Sequence, residues 1–389
     1  MITVAEALDR LFALVAPLGV EEVPLAQAAG RVLARDVSAT RDQPPFAASA
    51  MDGYAVADAP TPGARLRVIG EAAAGHGLAG RVGAGEAARI FTGAPVPQGA
   101  TRVVMQEDVT RDGDTLVLGE NIGPKDNIRP AGGDFRKGQT LPAPRRLRPA
   151  DLALLAAMNI ARVPVRRRAQ VALIATGDEL VMPGEAPGPD QIIASNAFGL
   201  KALFESHGAV ARLLPIARDT RASLETALAL AEGNDLIVTI GGASVGDHDI
   251  IARLGPELGL ERAFYKVAMR PGKPLMAGRL GAAAMVGLPG NPVSAMVCGQ
   301  VFVAPMIDAM LGLGARPAPR LTARLAAPLP ANGPREHYMR ARLTEAGLKA
   351  EDKQDSSLLS ILAHSDALLV RPAHDPARET GEMVAYLPV

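Results

Sequence analysis

Strand-like and helix-like segments alternate from about residue 170 to residue 300, and this alternation constrains the fold more than any other feature of the chain. Residues 195–207 and 220–232 repeat their apolar positions with the period of a helix, and a further helix is predicted to start at Asn291-Pro292. Four apolar runs between and around them have the character of buried strands: 170–177, 210–215, 234–242 and 283–288. Such an alternation predicts a parallel sheet with helices on both faces.

Three polar loops follow strands of this predicted sheet. They are TGDEL at 176–180, GGASVGDHD at 241–249 and PGNP at 289–292, and all fall at carboxyl ends, where sheets of this kind bind ligands. In the first loop, Asp178 and Glu179 are hard oxygen ligands that suit Mg²⁺ on a pyrophosphate. A turn that merely caps the next element would use the same residue types.

The glycine-rich loop has the composition of a phosphate site. Glycines let backbone amides approach a phosphate closely, a serine adds a hydroxyl donor, and aspartates add carboxylates for a bridging metal ion. The alternative is a loop whose glycines serve only its own conformation. The residues concerned are Gly241, Gly242, Ser244, Gly246, Asp247 and Asp249.

Positive charge comes from a local cluster and not from the chain as a whole. Lysine plus arginine and aspartate plus glutamate each number 41, so the formal net charge is zero, which argues against a nucleic-acid-binding protein. Within KVAMRPGKP, however, Lys266, Arg270 and Lys273 lie close together beside two prolines that stiffen the loop. The cluster suits an oxyanion or a phosphate, or it is an ordinary solvated face.

Residues 40–140 are rich in glycine and proline and predict a compact β unit. Helical patterns at 3–16 and 149–160 flank it, so we expect the flanking segments to form one domain into which the β unit is inserted. The chain after about 315 is again strand-like and predicts a small C-terminal β domain. The strand candidates in the inserted unit are Leu66–Ile69, Ala88–Phe91, Arg102–Gln106 and Thr115–Leu118.

No polar residue of the inserted unit is, by itself, strong evidence of a functional site. Asp52 lies in PPFAASAMDGYA with few polar neighbours, and Thr92 follows a strand in FTGAPVP. Arg129 and Asp134, in NIRPAGGDF, offer a pair of opposite charges. Each of these residues, met alone, would more often be structural than functional.

Other classes of protein are excluded by context. GHGLAG at 75–80 matches the dinucleotide-binding pattern, but no helical pattern follows it. Cys298 is the single cysteine, so an intramolecular disulfide and a cysteine-only zinc site are impossible, and its apolar neighbours favour a core position. The N-terminus lacks the basic region of a signal peptide, and no uninterrupted apolar run is long enough for a membrane span. We therefore expect a soluble, cytoplasmic protein that binds neither nucleic acid nor membrane.

Seven segments taken together resemble the MoeA family of molybdopterin molybdenumtransferases, which includes the C-terminal domain of gephyrin. They occur in the family's order: PPFAASAMDGYA, FTGAPVP, NIRPAGGDF, TGDEL, GGASVGDHD, MRPGKP and GLPGNPVSA. The resemblance implies a multidomain α/β plus β fold. It consists of an elongated helical domain (1–40 and 140–168), an inserted β domain (41–139), a three-layer α/β domain like the stand-alone adenylyltransferases (169–315) and a C-terminal β barrel (316–389).

The same resemblance implies an activity. The family inserts molybdate into adenylylated molybdopterin and releases AMP, and Mg²⁺ is the implied cofactor. It also implies a homodimer whose cleft lies between the α/β domain of one subunit and the inserted domain of the other. A molybdopterin adenylyltransferase, or proteins that modify the finished cofactor, would be further partners.

The family's functional residues fall on matching positions of this chain. Glu179 and Asp249 are the implied metal ligands, and two departures affect the assignments: some members have lysine at the position of Arg270, and Asp355-Ser356-Ser357 replaces the usual Gly-Ser. The implied catalytic residues are Asp52, Thr92, Glu179, Asp219, Asp249, Lys266 and Arg270. The implied binding residues are Gly241, Gly242, Ser244, Gly246, Lys273, Arg129, Asp134, Arg340 and Ser356.

Two other functions remain as alternatives. An ATP-dependent molybdopterin adenylyltransferase would share the α/β domain, but it would lack the inserted unit with SAMDGYA and the C-terminal β domain. A scaffold like gephyrin would need further domains and a receptor-binding surface. The sequence does not distinguish molybdate from tungstate, because the two oxyanions have nearly the same shape.

Overall fold

The computed structural model describes residues 1–57, 61–241 and 250–389. The α/β unit is built on a six-stranded sheet whose first four strands run parallel and whose last two are antiparallel neighbours. In spatial order the strands are Val210–Leu213, Gln170–Ala175, Leu236–Ile240, Ala283–Leu288, Met276–Leu280 and Leu260–Tyr265. The four predicted parallel strands are confirmed, and the antiparallel pair is an addition that the sequence patterns did not reveal.

Helices cover both faces of this sheet. Thr220 caps one of them, because its side chain accepts a hydrogen bond from the Ser223 amide. The stretch Pro292–Met310 is long and apolar enough by composition to cross a bilayer, but 83% of its most apolar window is buried inside the protein. The helices are Asn196–Ser206, Arg221–Leu230, Ile250–Leu254, Pro292–Cys298 and Ala304–Met310, with a π-helical turn at Gly299–Val303 and a 3₁₀ turn at Pro256–Leu258.

The first helix, Val4–Phe12, packs on the α/β unit and not on the segment with which the sequence groups it. Thr3 and Glu6 form a capping box at its start. Ala7 and Leu11 are fully buried in the same apolar cluster as Phe204 and residues of Ala304–Met310. The helix therefore belongs to the core of the α/β unit through its buried face.

The remaining flanking segments form a small antiparallel sheet. Its strands, in spatial order, are Val20–Pro24, Arg162–Arg166, Val32–Leu33 and Arg145–Arg146. The helix Pro149–Ala157 and the 3₁₀ turn Leu25–Gln27 cover its apolar cluster. Val37–Ser38 pairs with Thr140–Leu141, so the chain enters and leaves the inserted unit through one two-stranded ladder.

The inserted unit is a six-stranded sheet with apolar clusters on both faces. The four strands that the sequence predicts are present, and the edge strand Val109–Asp112 and the central strand Gly53–Val56 are additional. A strand, Glu86–Ile90, follows GHGLAG, which confirms that no dinucleotide-binding helix lies there. In spatial order the strands are Arg102–Met105, Gly53–Val56, Glu86–Ile90, Arg65–Ala72, Thr115–Leu118 and Val109–Asp112, and the short strands Ala48–Ser49 and Ile128–Arg129 pair beside them.

The C-terminal unit is a small closed barrel around a cluster that includes Leu325 and Leu348. A backbone bridge between these two residues joins the first strand to the third and closes the ring. The strands are Leu321–Arg324, Glu336–Thr344, Gly347–Ala350, Ala367–Arg371 and Met383–Pro388, with one helix at Leu359–Ala363. A strand of the α/β unit, Met269–Arg270, adds to the edge at Glu336–Thr344 and ties the two units together.

Candidate active site

A cavity of about 740 Å³ lies at the carboxyl ends of the parallel strands, where the sheet topology predicts a ligand site. Two of the predicted acids, Glu179 and Asp219, line it, and so does the predicted glycine Gly241. The cavity also has an apolar rim, since Ile192 is 59% and Ile193 38% exposed. Its other lining residues include Thr176, Gly177, Ser195, Asn196, Pro274, Gly290, Asn291 and Ser357.

Gly241 lets two strand ends approach each other at the floor of the cavity. Its φ of +93° lies in the left-handed region, and a Cβ there would come within 2.7 Å of the Thr176 carbonyl oxygen. The Gly241 amide donates to the carbonyl of Leu288 at 3.0 Å. This glycine therefore supplies close backbone packing, and its amide is not free for the phosphate contact that the sequence predicts.

The loop that carries Glu179 is held in place by the loop that carries Asp219. Nη1 of Arg218 donates to the carbonyls of Gly177, Asp178 and Leu180 at 2.9–3.2 Å. The Asp178 carboxylate in turn accepts the Asp219 amide at 3.0 Å. Asp178 thus stabilises the loop pair, whereas Glu179 and Asp219 line the cavity, where the Glu179 carboxylate lies against Gly177.

The PGNP turn, which the strand pattern predicts at the carboxyl ends of the sheet, forms one wall of the cavity together with a C-terminal loop. Nδ2 of Asn196 donates to the Gly290 carbonyl at 2.7 Å, and Nδ2 of Asn291 donates to the Ser356 hydroxyl at 3.1 Å. Ser356 therefore supports Asn291, and its neighbour Ser357 is the serine that lines the cavity. Asn291 is at the N-cap position, yet its side chain makes no capping bond, and an N-cap pattern alone could not have revealed this second role.

The predicted lysines flank the cavity without lining it. The backbone of Lys266 is in the left-handed region, with a φ of +74°, and its Nζ lies 5.2 Å from the ring centroid of Tyr265. The Lys273 carbonyl accepts the Val267 amide at 3.1 Å, which folds the loop back on itself. Pro274, the next residue, reaches the cavity wall.

Arg340 is a buried cation with unused donors. It is 0% exposed, and only its Nη2 has a partner, the Lys353 carbonyl at 3.0 Å. Within the described residues, Nε and Nη1 have no hydrogen-bond partner. Burial lowers the pKa of Arg340, nearby Asp355 opposes this change, and the charge of Arg270 adds to it. A buried guanidinium with free N–H groups is the donor set that a planar or tetrahedral oxyanion takes.

Arg270 and the strand that carries Arg340 are neighbours because Met269–Arg270 pairs with residues 336 and 337. Burial lowers the pKa of His337 to about 4, and the charges of Arg270 and Arg340 contribute. His337 is therefore neutral at pH 7. The positive charge around His337 therefore comes from the arginines and not from the imidazole.

Asp52 and Thr92 meet directly in the inserted unit. The Thr92 amide and hydroxyl both donate to Oδ1 of Asp52 at 2.7 Å. The hydroxyl bond, then the amide bond, lower the pKa of Asp52. Arg89 stands beside them, with its guanidinium 4.6 Å from the Phe91 ring centroid and 5.2 Å from that of Tyr54. Neither Asp52 nor Thr92 lines the cavity of its own chain.

The other predicted positions are less informative. Arg129 lies in a short strand paired with Ala48, and the Asp134 amide donates to the Gln43 carbonyl at 2.9 Å. The structure records no ion pair between Arg129 and Asp134, both of which it describes. Gly242, Ser244, Gly246 and Asp249 lie outside the described residues.

Comparison with known proteins gives this site its context. Residues 2–159 match the MoeA N-terminal region (domain I and II), residues 172–309 a probable molybdopterin binding domain, and residues 322–389 the MoeA C-terminal region (domain IV). A molybdopterin molybdenumtransferase of Nostoc is 36% identical over 95% of this chain and 89% of its own length. The chain belongs to the MoeA family of molybdopterin molybdenumtransferases. It is therefore a transferase of molybdenum cofactor biosynthesis.

Other MoeA relatives agree with this assignment. The molybdopterin molybdenumtransferase of Haemophilus influenzae is 37% identical over 80% of this chain and 78% of its own length. A crystal structure of the molybdopterin biosynthesis MoeA protein from Pyrococcus horikoshii OT3 superposes with a TM-score of 0.86 at 28% identity, over all of both chains. Most of the residues that line the cavity lie in the segment that matches the probable molybdopterin binding domain.

Proposed function

We propose that this chain takes adenylylated molybdopterin, inserts molybdate and releases AMP. The observation that carries the proposal is the cavity of about 740 Å³ at the carboxyl ends of the parallel strands, lined by Glu179 and Asp219. A phosphoanhydride needs carboxylates to hold its counter-ion, and a ring system needs an apolar surface. Ile192 and Ile193 supply such a surface at the rim.

Mg²⁺ fits the donors of this cavity. Among residues 1–57, 61–241 and 250–389 no group of three histidine, cysteine or acidic side chains could hold a metal ion alone. Mg²⁺ commonly binds through one or two carboxylates together with substrate phosphates, so the absence of a three-residue group among the described residues is compatible with a Mg²⁺ site. Glu179 would hold the ion, with Asp249 from the undescribed loop as its predicted partner. When bound, the ion would offset negative charge on the phosphoanhydride.

Arg340 and Arg270 are proposed to bind molybdate. Molybdate is a small dianion, and Arg340 offers two buried N–H donors that have no partner in the described residues. Arg270 is close enough for its charge to lower the pKa of Arg340. A dianion between the two would relieve this repulsion, and Lys266 and Lys273 on the adjoining loop would raise its local concentration.

The chemical step cleaves the phosphoanhydride of adenylylated molybdopterin and releases AMP. Either a water oxygen or a molybdate oxygen bonds to the AMP phosphorus as the bond from that phosphorus to the bridging oxygen breaks, and the molybdopterin phosphate is the leaving group. With water, AMP is released directly, and one molybdate oxygen leaves as water when the two dithiolene sulfurs bond to molybdenum. With molybdate, the adenylyl molybdate that forms releases AMP when the dithiolene sulfurs displace it from molybdenum. Because Thr92 keeps Asp52 ionised, Asp52 is available as a base or an orienting group.

The site is proposed to be completed by a second copy of the chain. Asp52 and Thr92 are absent from the cavity of their own chain, so they would act on the cavity of the partner in a homodimer. A symmetric dimer would contain two such clefts. We also propose a cytoplasmic location, and a molybdopterin adenylyltransferase or cofactor-modifying proteins as further partners.

The decisive experiment measures AMP release from adenylylated molybdopterin and Mg²⁺, with and without molybdate. Release that requires molybdate supports the proposal. Glu179→Gln should abolish release, whereas Glu261→Gln, an exposed acid on an edge strand of the same unit, should leave it unchanged. Absence of release, with AMP transferred instead from ATP to molybdopterin, would move the assignment to an adenylyltransferase.

Mixed dimers test the cross-subunit cleft. An equal mixture of Asp52→Asn and Glu179→Gln subunits, exchanged to equilibrium, contains heterodimers with one intact cleft. These should restore about a quarter of wild-type activity if each cleft uses both subunits of a symmetric dimer. No recovery would mean that both residues act on one chain.

A further inference from the structure

A second polar cavity, of about 160 Å³, lies between the N-terminal sheet and the α/β unit. Four of its eleven lining residues are arginines, and Glu205 is the one acid. The arginines are Arg31, Arg146, Arg166 and Arg168. The cavity contains none of the residues assigned to the candidate active site.

Two of the four arginines are already neutralised. Arg31 forms an ion pair with Glu21, and Arg146 forms one with Asp308 at 2.8 Å. The cavity's own acid, Glu205, is bound by Lys201 at 2.5 Å. Once these pairs are set aside, two positive charges remain, on the other two arginines.

Arg166 and Arg168 have no carboxylate partner within the described part of the chain. They flank Arg167, whose guanidinium binds Asp235 through two hydrogen bonds of 2.8 Å. Alternate residues of an extended segment point to opposite sides, so the outer two arginines share the side away from Asp235. Two of the three consecutive arginines therefore face a cavity whose one acid, Glu205, is already paired with Lys201.

Arg166 also has an unused donor. Its Nη1 donates to the Leu18 carbonyl at 2.7 Å, but its Nε is buried and has no hydrogen-bond partner among the residues that the structure describes. Such a group costs free energy unless something accepts its proton. The attraction of arginines to the negative ends of helices explains Arg146, which donates to the His207 carbonyl at 3.0 Å. Arg166 also lies beside a helix end, since its Nε would be 3.1 Å from a Cβ at Gly312, but among the described residues neither it nor Arg168 donates a hydrogen bond to a helix carbonyl.

We infer that this cavity binds one small tetrahedral dianion of the phosphate or sulfate type. Its volume equals that of about five water molecules, which suits an anion of five heavy atoms and is too small for a whole nucleotide. A dianion would balance the two remaining charges and accept the free N–H of Arg166. It would also tie the linker at 166–168 to the helix end at 205–208, and so brace the joint between the two units.

Isothermal titration of the full-length protein with inorganic phosphate, at constant ionic strength, tests the inference. The titration uses an Arg340→Gln background, which removes the oxyanion site proposed for molybdate. One phosphate should still bind. Arg168→Gln, a change at an exposed side chain, should weaken binding at least about tenfold, as expected when one charge-assisted hydrogen bond is lost. Arg65→Gln, an exposed arginine of the inserted unit, is the matched control and should change nothing.

The outcomes separate this site from the candidate active site. Loss of all phosphate binding in Arg340→Gln alone, or equal affinity with and without Arg168, would overturn the inference. Sulfate should compete with phosphate, because it has the same size and charge. Competition by AMP at this site would contradict the size argument and point to a nucleotide phosphate as the ligand. Arg166→Gln provides a second test, with circular dichroism to confirm folding.

Discussion

Replacing Gly241 by alanine tests whether the floor of the candidate active site is as tightly packed as the structure indicates. The left-handed backbone costs an L-residue roughly 1–2 kcal/mol. The new methyl group would also lie 2.7 Å from the Thr176 carbonyl oxygen, and both atoms belong to rigid strand ends. Forcing extra atoms into a packed site costs about 1–3 kcal/mol. We therefore expect Gly241→Ala to destabilise the α/β unit by about 2–5 kcal/mol.

Gly281→Ala separates the two contributions. Gly281 has a φ of +57°, lies in the turn between two strands of the same sheet, and has open space where a Cβ would be. Its replacement should cost the backbone contribution alone, roughly 1–2 kcal/mol. The difference between the two variants, about 1–3 kcal/mol, measures the contact with Thr176.

Amide hydrogen exchange of the central strand Leu236–Ile240 is a suitable assay, because its protection reports the opening of this unit alone. At 1.36 kcal/mol per factor of ten, exchange in Gly241→Ala should accelerate at least about 30-fold over wild type. This acceleration should also be larger than the acceleration that Gly281→Ala causes. If both variants accelerate exchange by the same factor, Gly241 is not in close contact with Thr176 and the described floor is incorrect.

Three further predictions follow from single groups. Thr92→Val removes a donor, so the pKa of Asp52 should rise towards its ordinary value; NMR titration of the carboxylate should show this, and an unchanged pKa would refute the bond. Since the pKa of Asp52 is depressed on folding, its stabilisation is present above the unfolded-state pKa and is lost as pH falls through the folded-state value. Burial lowers the pKa of His337 to about 4 on folding, so the unfolded state binds a proton more readily than the folded state between pH ~6.5 and about 4. The free energy of unfolding should therefore decrease as the pH falls through this range, as it does for Asp52. His337→Gln should remove this part of the pH dependence of the urea midpoint. Burial raises the pKa of Cys298, so iodoacetamide should modify it only after unfolding, and rapid modification of the native protein would contradict its buried position.

The parallel strands of the α/β unit could be predicted because burial on both faces leaves a continuous apolar run. The antiparallel strands could not, because Leu260–Tyr265 carries charged residues at the edge of the sheet and the apolar run of Met276–Leu280 is interrupted by a glycine and an arginine. The strand Gly53–Val56 was hidden for another reason. It follows Asp52, and Asp-Gly is a turn pattern in most settings, whereas here the glycine is pressed against the Val104 carbonyl in a central strand.

Some residues of the candidate site could likewise be predicted from the sequence, and others could not. Glu179 could be placed at the cavity because it follows a parallel strand and such strands end at the same edge of a sheet, whereas Asp219 was predicted only from the resemblance to the MoeA family. The burial of Arg340 could not be predicted, since an arginine in a strand is normally exposed. The contribution of Ser357 depends on how the C-terminal barrel docks, and this is set by contacts between segments far apart in the sequence.

The position of the first helix has a consequence for synthesis of the chain. Val4–Phe12 is synthesised well before Ala304–Met310, but its apolar face is buried against that helix. At translation rates of about 5–20 residues per second, its partner emerges roughly 15–60 s later. During that interval the apolar residues of this segment lack the surface that covers them in the folded protein. This early segment therefore acquires its native contacts only after most of the described chain has been made.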